Sequence, residues 1–115
     1  MSNNKTYYIY VLRCIDNSLY TGITTDVNRR FKEHSVDKKL GAKYTRARKP
    51  ISIEAVWCCE TRSDALKLES AFKKLQKLQK EQIIRDVDTF EKLLSEKLDI
   101  GIYEYLAEFK NYILQ

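Results

Sequence analysis

Five polar side chains in this 115-residue chain have the types and spacing that phosphoryl chemistry requires. Tyr10 and Tyr20 lie ten residues apart, on the two strands of a predicted hairpin. Arg30 and His34 are four residues apart, so they share one edge of the helix predicted to follow. Glu69 lies beside the apolar stripe of a later helix, where a carboxylate is costly unless it is paired or binds a cation. Tyrosine, arginine, histidine and a lone acid that converge on one sheet face suit metal-assisted phosphoryl chemistry.

The two tyrosines are placed by a predicted β-hairpin. Residues 7–15 are rich in aromatic and β-branched side chains, which is typical of a strand buried on both faces. Residues 19–23 resume that character after a turn of short polar side chains at 16–18. Gly22 lies at the far end of the second strand, where it could let the backbone approach a phosphate or another chain.

The first predicted helix, which carries Arg30, follows directly. Thr25 or Asp26 can cap its first turn, after which apolar residues recur at helical spacing. The next segment, 35–50, is basic, and a loop or a frayed extension of the helix is predicted there.

A third strand and a long helix position Glu69. Residues 51–60 return to strand character, and residues 61–64 resemble a capping box that opens the helix. Its apolar stripe consists of Ala65, Leu68, Phe72, Leu75 and Leu78. The order β-β-α-β-α predicts an α/β fold of the α+β type, with a small, mostly antiparallel three-stranded sheet flanked by helices. We expect one domain at 1–87 and an acidic helical extension at 88–115 packed on it.

Charge is divided unevenly between these two parts. Residues 1–87 carry 18 basic and 10 acidic side chains, whereas residues 88–115 carry 3 basic and 6 acidic ones. A basic body indicates a polyanionic partner, and nucleic acid is the favoured one. The positive excess is greatest in the segment 38–49, where the expected phosphate contacts are Lys43, Arg46 and Arg48.

Composition also excludes several classes of protein. No apolar run approaches the ~20 residues of a bilayer span, and the N-terminus lacks the apolar core of a signal peptide. We therefore expect no membrane partner and a cytoplasmic location, at the nucleoid if the protein binds DNA. Cys14, Cys58 and Cys59 are odd in number and lack Cys-x-x-Cys spacing, so they are expected to be small buried hydrophobes.

Five blocks of the chain, in order, resemble the GIY-YIG endonuclease superfamily. Residues 8–10 (Tyr-Ile-Tyr) and 20–22 (Tyr-Thr-Gly) are similar to the two half-motifs that name it. Residues 24–34 are similar to its first helix, which carries the catalytic arginine. Residues 41–48 and the later Glu69 match its small stand-alone members.

The resemblance covers roughly residues 7–85. It implies a metal-dependent endonuclease that hydrolyses phosphodiester bonds in nucleic acid, with DNA favoured over RNA as the substrate. DNA repair is the cellular process expected from it. One of Tyr10 and Tyr20 would activate the attacking water. Arg30 would stabilise charge on the phosphate, and His34 would lie close to it.

Two further roles follow from the resemblance. Glu69 would be the sole protein ligand of one Mg²⁺ or Mn²⁺ ion, with waters and a DNA phosphate completing the shell. Gly22 would allow the substrate backbone to pack closely at the second half-motif.

Two questions stay open on the sequence. The superfamily's last motif has an asparagine that has no clear counterpart here. Gln79 or Gln82 could substitute for it, and the alternative function is a nucleic-acid-binding module without efficient cleavage. The apolar residues of 88–115 suit packing on the core, a homodimer interface or an acidic flap over the active site.

Overall fold

The structure is a computed structural model that describes residues 5–36, 48–110 and 112–113. At 34–36 and 112–113 it describes the backbone alone. Lys43 and Arg46, two of the predicted phosphate contacts, lie outside the described residues.

Three long strands form the centre of the sheet: β1 (Tyr7–Cys14), β2 (Leu19–Thr24) and β3 (Pro50–Cys59). The middle strand β1 pairs antiparallel with β2 on one side and with β3 on the other, so the predicted hairpin and third strand are confirmed. In the hairpin turn Asn17 adopts a left-handed φ of 68°, which asparagine tolerates better than most residues. In the β1–β2 register Tyr10 lies opposite Gly22 and Leu12 opposite Tyr20, which places all four on one face.

Four helices among the described residues cover the two faces of the sheet: α1 (Val27–Val36), α2 (Arg62–Lys73), α3 (Lys77–Arg85) and α4 (Asp88–Leu94). Val27 and Phe31 of α1 pack with Tyr10 and Leu12 on one face. The helices α2, α3 and α4 pack against the other face, where the fully buried residues include Ile9, Val11, Trp57, Leu68 and Phe72.

The long helix predicted after the third strand is two helices, which corrects the sequence interpretation. Thr61 caps α2 as expected, because its Oγ1 accepts a hydrogen bond from the backbone N–H of Asp64 at 3.1 Å. Gln76 then starts α3 in a second capping box, in which Oε1 of Gln79 accepts from the Gln76 backbone N–H at 3.0 Å. Leu78, assigned to the apolar stripe, is 65% exposed as a result.

The segment after residue 87 is only partly helical. After α4 it forms a 3₁₀ turn, the short strand β4 (Glu104–Tyr105), a second 3₁₀ turn and the strand β5 (Tyr112–Ile113). Both short strands pair antiparallel with the free side of β3, which extends the predicted three-stranded sheet. The segment also buries Phe90 and Leu94 in the core of the same chain.

Two polar contacts join distant parts of the chain. Arg13 of β1 donates from Nε to Glu54 of β3 at 2.8 Å and from Nη2 to Glu81 of α3 at 2.6 Å. Tyr103, near the end of the chain, donates its hydroxyl to the carbonyl oxygen of Asp64 in the first turn of α2 at 2.6 Å. The first contact holds α3 against the sheet, and the second holds α2 against the tail. No helix among the described residues is long and apolar enough to cross a membrane.

Candidate active site

Tyr10 and Tyr20 meet on the α1 side of the sheet, as the sequence predicts. Their ring centroids are 6.2 Å apart and their hydroxyls are hydrogen-bonded. The Tyr10 side chain is 1% exposed and also packs edge-to-face on Phe31 of α1, with a centroid distance of 5.4 Å. Tyr20 is half-buried. Of the two phenols, Tyr20 is therefore the one that solvent reaches.

Gly22 lies opposite Tyr10 in the hairpin, and the Tyr10 side chain occupies the space that a side chain at position 22 would need. A Cβ at position 22 would lie 2.6 Å from the Tyr10 hydroxyl oxygen, 2.8 Å from its Cζ and 3.0 Å from Cε2 of Tyr20. The sequence interpretation gave this space to substrate backbone. In the structure the Tyr10 hydroxyl lies where a side chain at position 22 would be, so the absence of that side chain seats Tyr10. The contact of the Gly22 backbone with substrate stays a prediction.

Arg30 reaches the tyrosine pair from α1. Its guanidinium donates to the Tyr10 hydroxyl, and Nη1 donates to Oε1 of Glu33 at 2.9 Å. Glu33 is a residue that the sequence reasoning missed, although its spacing of three residues from Arg30 on a helix was a usable signal. A guanidinium has five N–H donors, so it can keep both partners and still donate to a phosphate.

Electrostatics fixes the protonation states of Tyr10 and Arg30. Burial raises the pKa of Tyr10, and the neighbouring Tyr20 raises it further, while the hydrogen bond and positive charge of Arg30 lower it. The balance is a pKa well above the usual value for tyrosine, so Tyr10 stays protonated at neutral pH. Burial lowers the pKa of Arg30, but its hydrogen bonds to Glu33 and Tyr10 leave that pKa raised overall. The guanidinium therefore stays charged.

Glu69 lies on the other layer of the molecule from this cluster. It belongs to α2, which packs on the opposite face of β1 and β2. Its side chain is 19% exposed, and within the described ranges its ion pair is with Lys73, at 3.3 Å. The structure thus brings together Tyr10, Tyr20 and Arg30, and it places Glu69 on a helix that packs on the opposite face of the sheet.

The single carboxylate of Glu69 is a suitable ligand for Mg²⁺, the ion predicted from the sequence to bind there. Mg²⁺ keeps several waters and binds proteins through one or two carboxylates together with substrate phosphates. No group of three or more histidine, cysteine, aspartate or glutamate side chains is clustered in the part of the chain that the structure describes. Glu69 supplies the hard oxygen donor that such an ion prefers.

Of the remaining predicted site residues, the structure describes Arg48 and the backbone of His34. Arg48 is exposed beside the hairpin turn, where its Nε pairs with Asp16 at 3.0 Å. His34 is in the last turns of α1, and its side chain is outside the described residues, as are Lys43 and Arg46. The Gln79 carboxamide, considered above as a substitute for the missing asparagine, serves as a helix cap.

Comparison with known proteins identifies the family. The model of the GIY-YIG catalytic domain matches residues 6–82. A UPF0213 protein of Fusobacterium nucleatum is 49% identical over 84 residues, covering 73% of this chain and 82% of the relative. Another, of Cupriavidus necator, is 51% identical over 80 residues, covering 70% and 85% respectively. The chain belongs to the GIY-YIG family, and the resemblance inferred from the sequence is confirmed.

These relatives place the chain more narrowly. Both are UPF0213 proteins, small stand-alone members of the family. The solution NMR structure of a UPF0213 protein from Bacillus halodurans is 39% identical, covers 76% of this chain and 96% of that one, and gives a TM-score of 0.46. GIY-YIG domains are generally those of endonucleases, typically with divalent metals, so the class of the domain is nuclease and its class of substrate is nucleic acid.

Proposed function

We propose that this protein is a metal-dependent endonuclease that hydrolyses phosphodiester bonds in DNA. The observation that carries the proposal is the contact cluster of Tyr10, Tyr20 and Arg30, in which a buried tyrosine holds a guanidinium beside a solvent-accessible phenol. Hydrolysis of a phosphodiester needs an activated water and a cation at the phosphate, and this cluster has a group for each.

In this proposal Tyr20 first releases its own proton to the solvent that reaches it, and its phenolate then takes the proton of the attacking water. Burial keeps the Tyr10 hydroxyl protonated, so Tyr10 is a positioning residue that orients both Tyr20 and Arg30. Arg30 donates to the oxygens of the scissile phosphate and stabilises the charge that grows on them. A preorganised donor of this kind contributes about 3–4 kcal/mol to lowering the barrier.

Glu69 would hold the divalent ion, which when bound supplies charge neutralisation at the phosphate and its leaving oxygen. β2 lies between the Tyr20 side and α2, and no described strand pairs with its outer side. We therefore place the scissile phosphate across this edge, within reach of groups on both faces. His34 would contact the phosphate from the end of α1, and Lys43, Arg46 and Arg48 would bind flanking phosphates.

A nucleic-acid-binding module without efficient cleavage is the second candidate. Two observations favour it: Glu69 already pairs with Lys73, and the Gln79 carboxamide is used as a helix cap and not as a counterpart of the missing asparagine. A binder of this kind would hold DNA equally well with or without a divalent ion.

A cleavage assay separates the two. Wild type, Glu69→Gln and the control Glu91→Gln, an exposed glutamate of α4, would be incubated with labelled single-stranded, nicked, flapped and junction DNA and with RNA. Each reaction would contain Mg²⁺, Mn²⁺ or EDTA. The endonuclease requires cutting that EDTA abolishes, that Glu69→Gln lacks and that Glu91→Gln retains. Binding without cutting in every metal would refute it in favour of the binding module.

A further inference from the structure

A shallow basic groove runs along the outer side of α2, away from the tyrosine cluster. Its volume is about 670 Å³, and its polar lining comprises four cations and two hydroxyls: Arg62, Lys67, Lys74, Lys97, Ser63 and Ser70. No carboxylate is among the residues that line it. The groove is therefore a concentrated site of positive charge on a surface that the proposed chemistry does not use.

Some cations of the described chain pair with carboxylates, and the cations of this groove do not. Arg13, Arg30, Arg48 and Lys73 each pair with a carboxylate. Within the ranges 5–36 and 48–110, none of the four groove cations forms an ion pair. Four unpaired like charges along one groove repel one another, so their arrangement favours an anionic ligand that spans several of them.

Two structural facts connect the groove with the proposed active site. Glu69 follows Leu66 by three residues on α2, and Leu66 lines the groove, so the candidate metal ligand lies at its border. Lys97 and Leu98 close the other side and come from the segment after α4, beyond the family match at 6–82. The groove therefore lies mostly on the GIY-YIG domain, and the tail completes it.

We propose that this groove binds the phosphates of the nucleic-acid strand whose scissile bond lies at Tyr20 and Arg30. The inference rests on the proposed function and adds a second contact region, separate from the 38–49 segment. Lysine, arginine and serine side chains bind phosphate oxygens without reading the bases, and the groove has no aromatic lining residue on which a base could stack. The contact is accordingly independent of sequence.

The test compares two double variants that remove the same charge. Lys67→Ala/Lys97→Ala removes two groove cations, and Arg85→Ala/Lys92→Ala removes two exposed cations of α3 and α4 that do not line the groove. Binding of a fluorescein-labelled 30-nucleotide single strand would be measured by anisotropy in EDTA, at salt concentrations from 0.05 to 0.2 M. Circular dichroism would verify folding, and the matching glutamine variants would replace any alanine variant that unfolds.

The expected effect follows from counterion release, which gives about 0.7 in the slope of log K against log salt for each phosphate contact on single strands. Loss of two contacts lowers the slope by about 1.4, so wild type should lose about 7-fold more affinity than the groove variant across this salt range. The control pair should keep the wild-type slope. Equal slopes for all three proteins would overturn the proposal.

A second readout separates this proposal from the proposed function. Bis(p-nitrophenyl) phosphate is too small to reach the groove from the site, so the groove variant should hydrolyse it at the wild-type rate while its KM for long DNA rises about 10-fold. If the wild type cuts DNA and both double variants match it, the groove proposal fails and the endonuclease stands. If nothing is cut but the groove variant still binds with the lower slope, the endonuclease fails and the groove stands.

Discussion

Replacing Gly22 with alanine tests the packing that seats the Tyr10 hydroxyl. The new methyl carbon would lie 2.6 Å from that oxygen, so atoms must separate by roughly 0.8 Å to regain an ordinary 3.4 Å contact. Tyr10 is buried against Phe31 and has little freedom to move. Overpacking of a core by a methyl group costs about 1–3 kcal/mol.

The sign of the effect makes this a sharp test. Gly22 has no positive φ, so alanine fits the backbone and should by itself stabilise the strand by about 0.5–1 kcal/mol. The clash outweighs this gain, and the expected net loss is about 1–2 kcal/mol in the free energy of unfolding. For a chain of this size that is a fall of roughly 4–8 °C in Tm. Urea and thermal denaturation would measure it.

Gly101→Ala is the matched control. Among the described residues its Cβ would meet Oδ1 of Asp99 alone, at 3.7 Å, and its φ is also not positive, so Gly101→Ala should be neutral or stabilise the protein by up to ~1 kcal/mol. Adding Tyr10→Leu should remove most of the Gly22→Ala penalty, a coupling of about 1 kcal/mol. A Gly22→Ala protein as stable as wild type would show that the reasoning about Tyr10 is wrong.

Three further predictions concern polar contacts. Glu81→Gln should lower the free energy of unfolding by ~1–2 kcal/mol at pH 7. Because the hydrogen bond from Arg13 lowers the pKa of Glu81, this contribution is present above the unfolded pKa and is lost as the pH falls through the folded pKa, so the urea midpoints of the two proteins should converge at acid pH. Arg30→Lys should reduce kcat for DNA cleavage by about 10²-fold with a small change in affinity, because lysine cannot replace a planar guanidinium, and single-turnover kinetics would measure both. Tyr103→Phe should lower the free energy of unfolding by about 1 kcal/mol, because it removes the hydrogen bond to the Asp64 carbonyl. Burial raises the pKa of Tyr103 to about 12, so in denaturation experiments the wild type should lose its extra stability over the variant as the pH rises from 10 through 12.

Local patterns predicted the parts of the fold that local forces determine. The hairpin, the third strand and the Thr61 cap follow from strand runs and turn chemistry within a few residues, and all are present. The break between α2 and α3 was missed because Leu75 and Leu78 continue the helical spacing, although the Gln76–Gln79 capping pair marked a new start. The strands β4 and β5 have two residues each, too few to show alternation.

In the candidate site, too, local patterns predicted some contacts and missed those that depend on tertiary packing. Tyr10, Tyr20 and Arg30 were expected together because the hairpin register and a short connection to α1 leave them few other arrangements. The contact of Arg13 with Glu81 joins residues 68 positions apart, and no local pattern indicates it. The position of Glu69 on the opposite layer depends on how α2 packs, which the helix spacing alone does not determine.

The two short strands of the tail have a consequence for solubility. An uncovered strand edge presents unpaired N–H and C=O groups that can recruit another chain, and β4 and β5 occupy such groups along β3. A chain shortened to residues 1–87 would expose that edge together with the apolar surface now covered by Phe90 and Leu94. It should self-associate at concentrations where the full chain stays dispersed. Among the strands that the structure describes, β2, which carries Tyr20, has no pairing strand on its outer side.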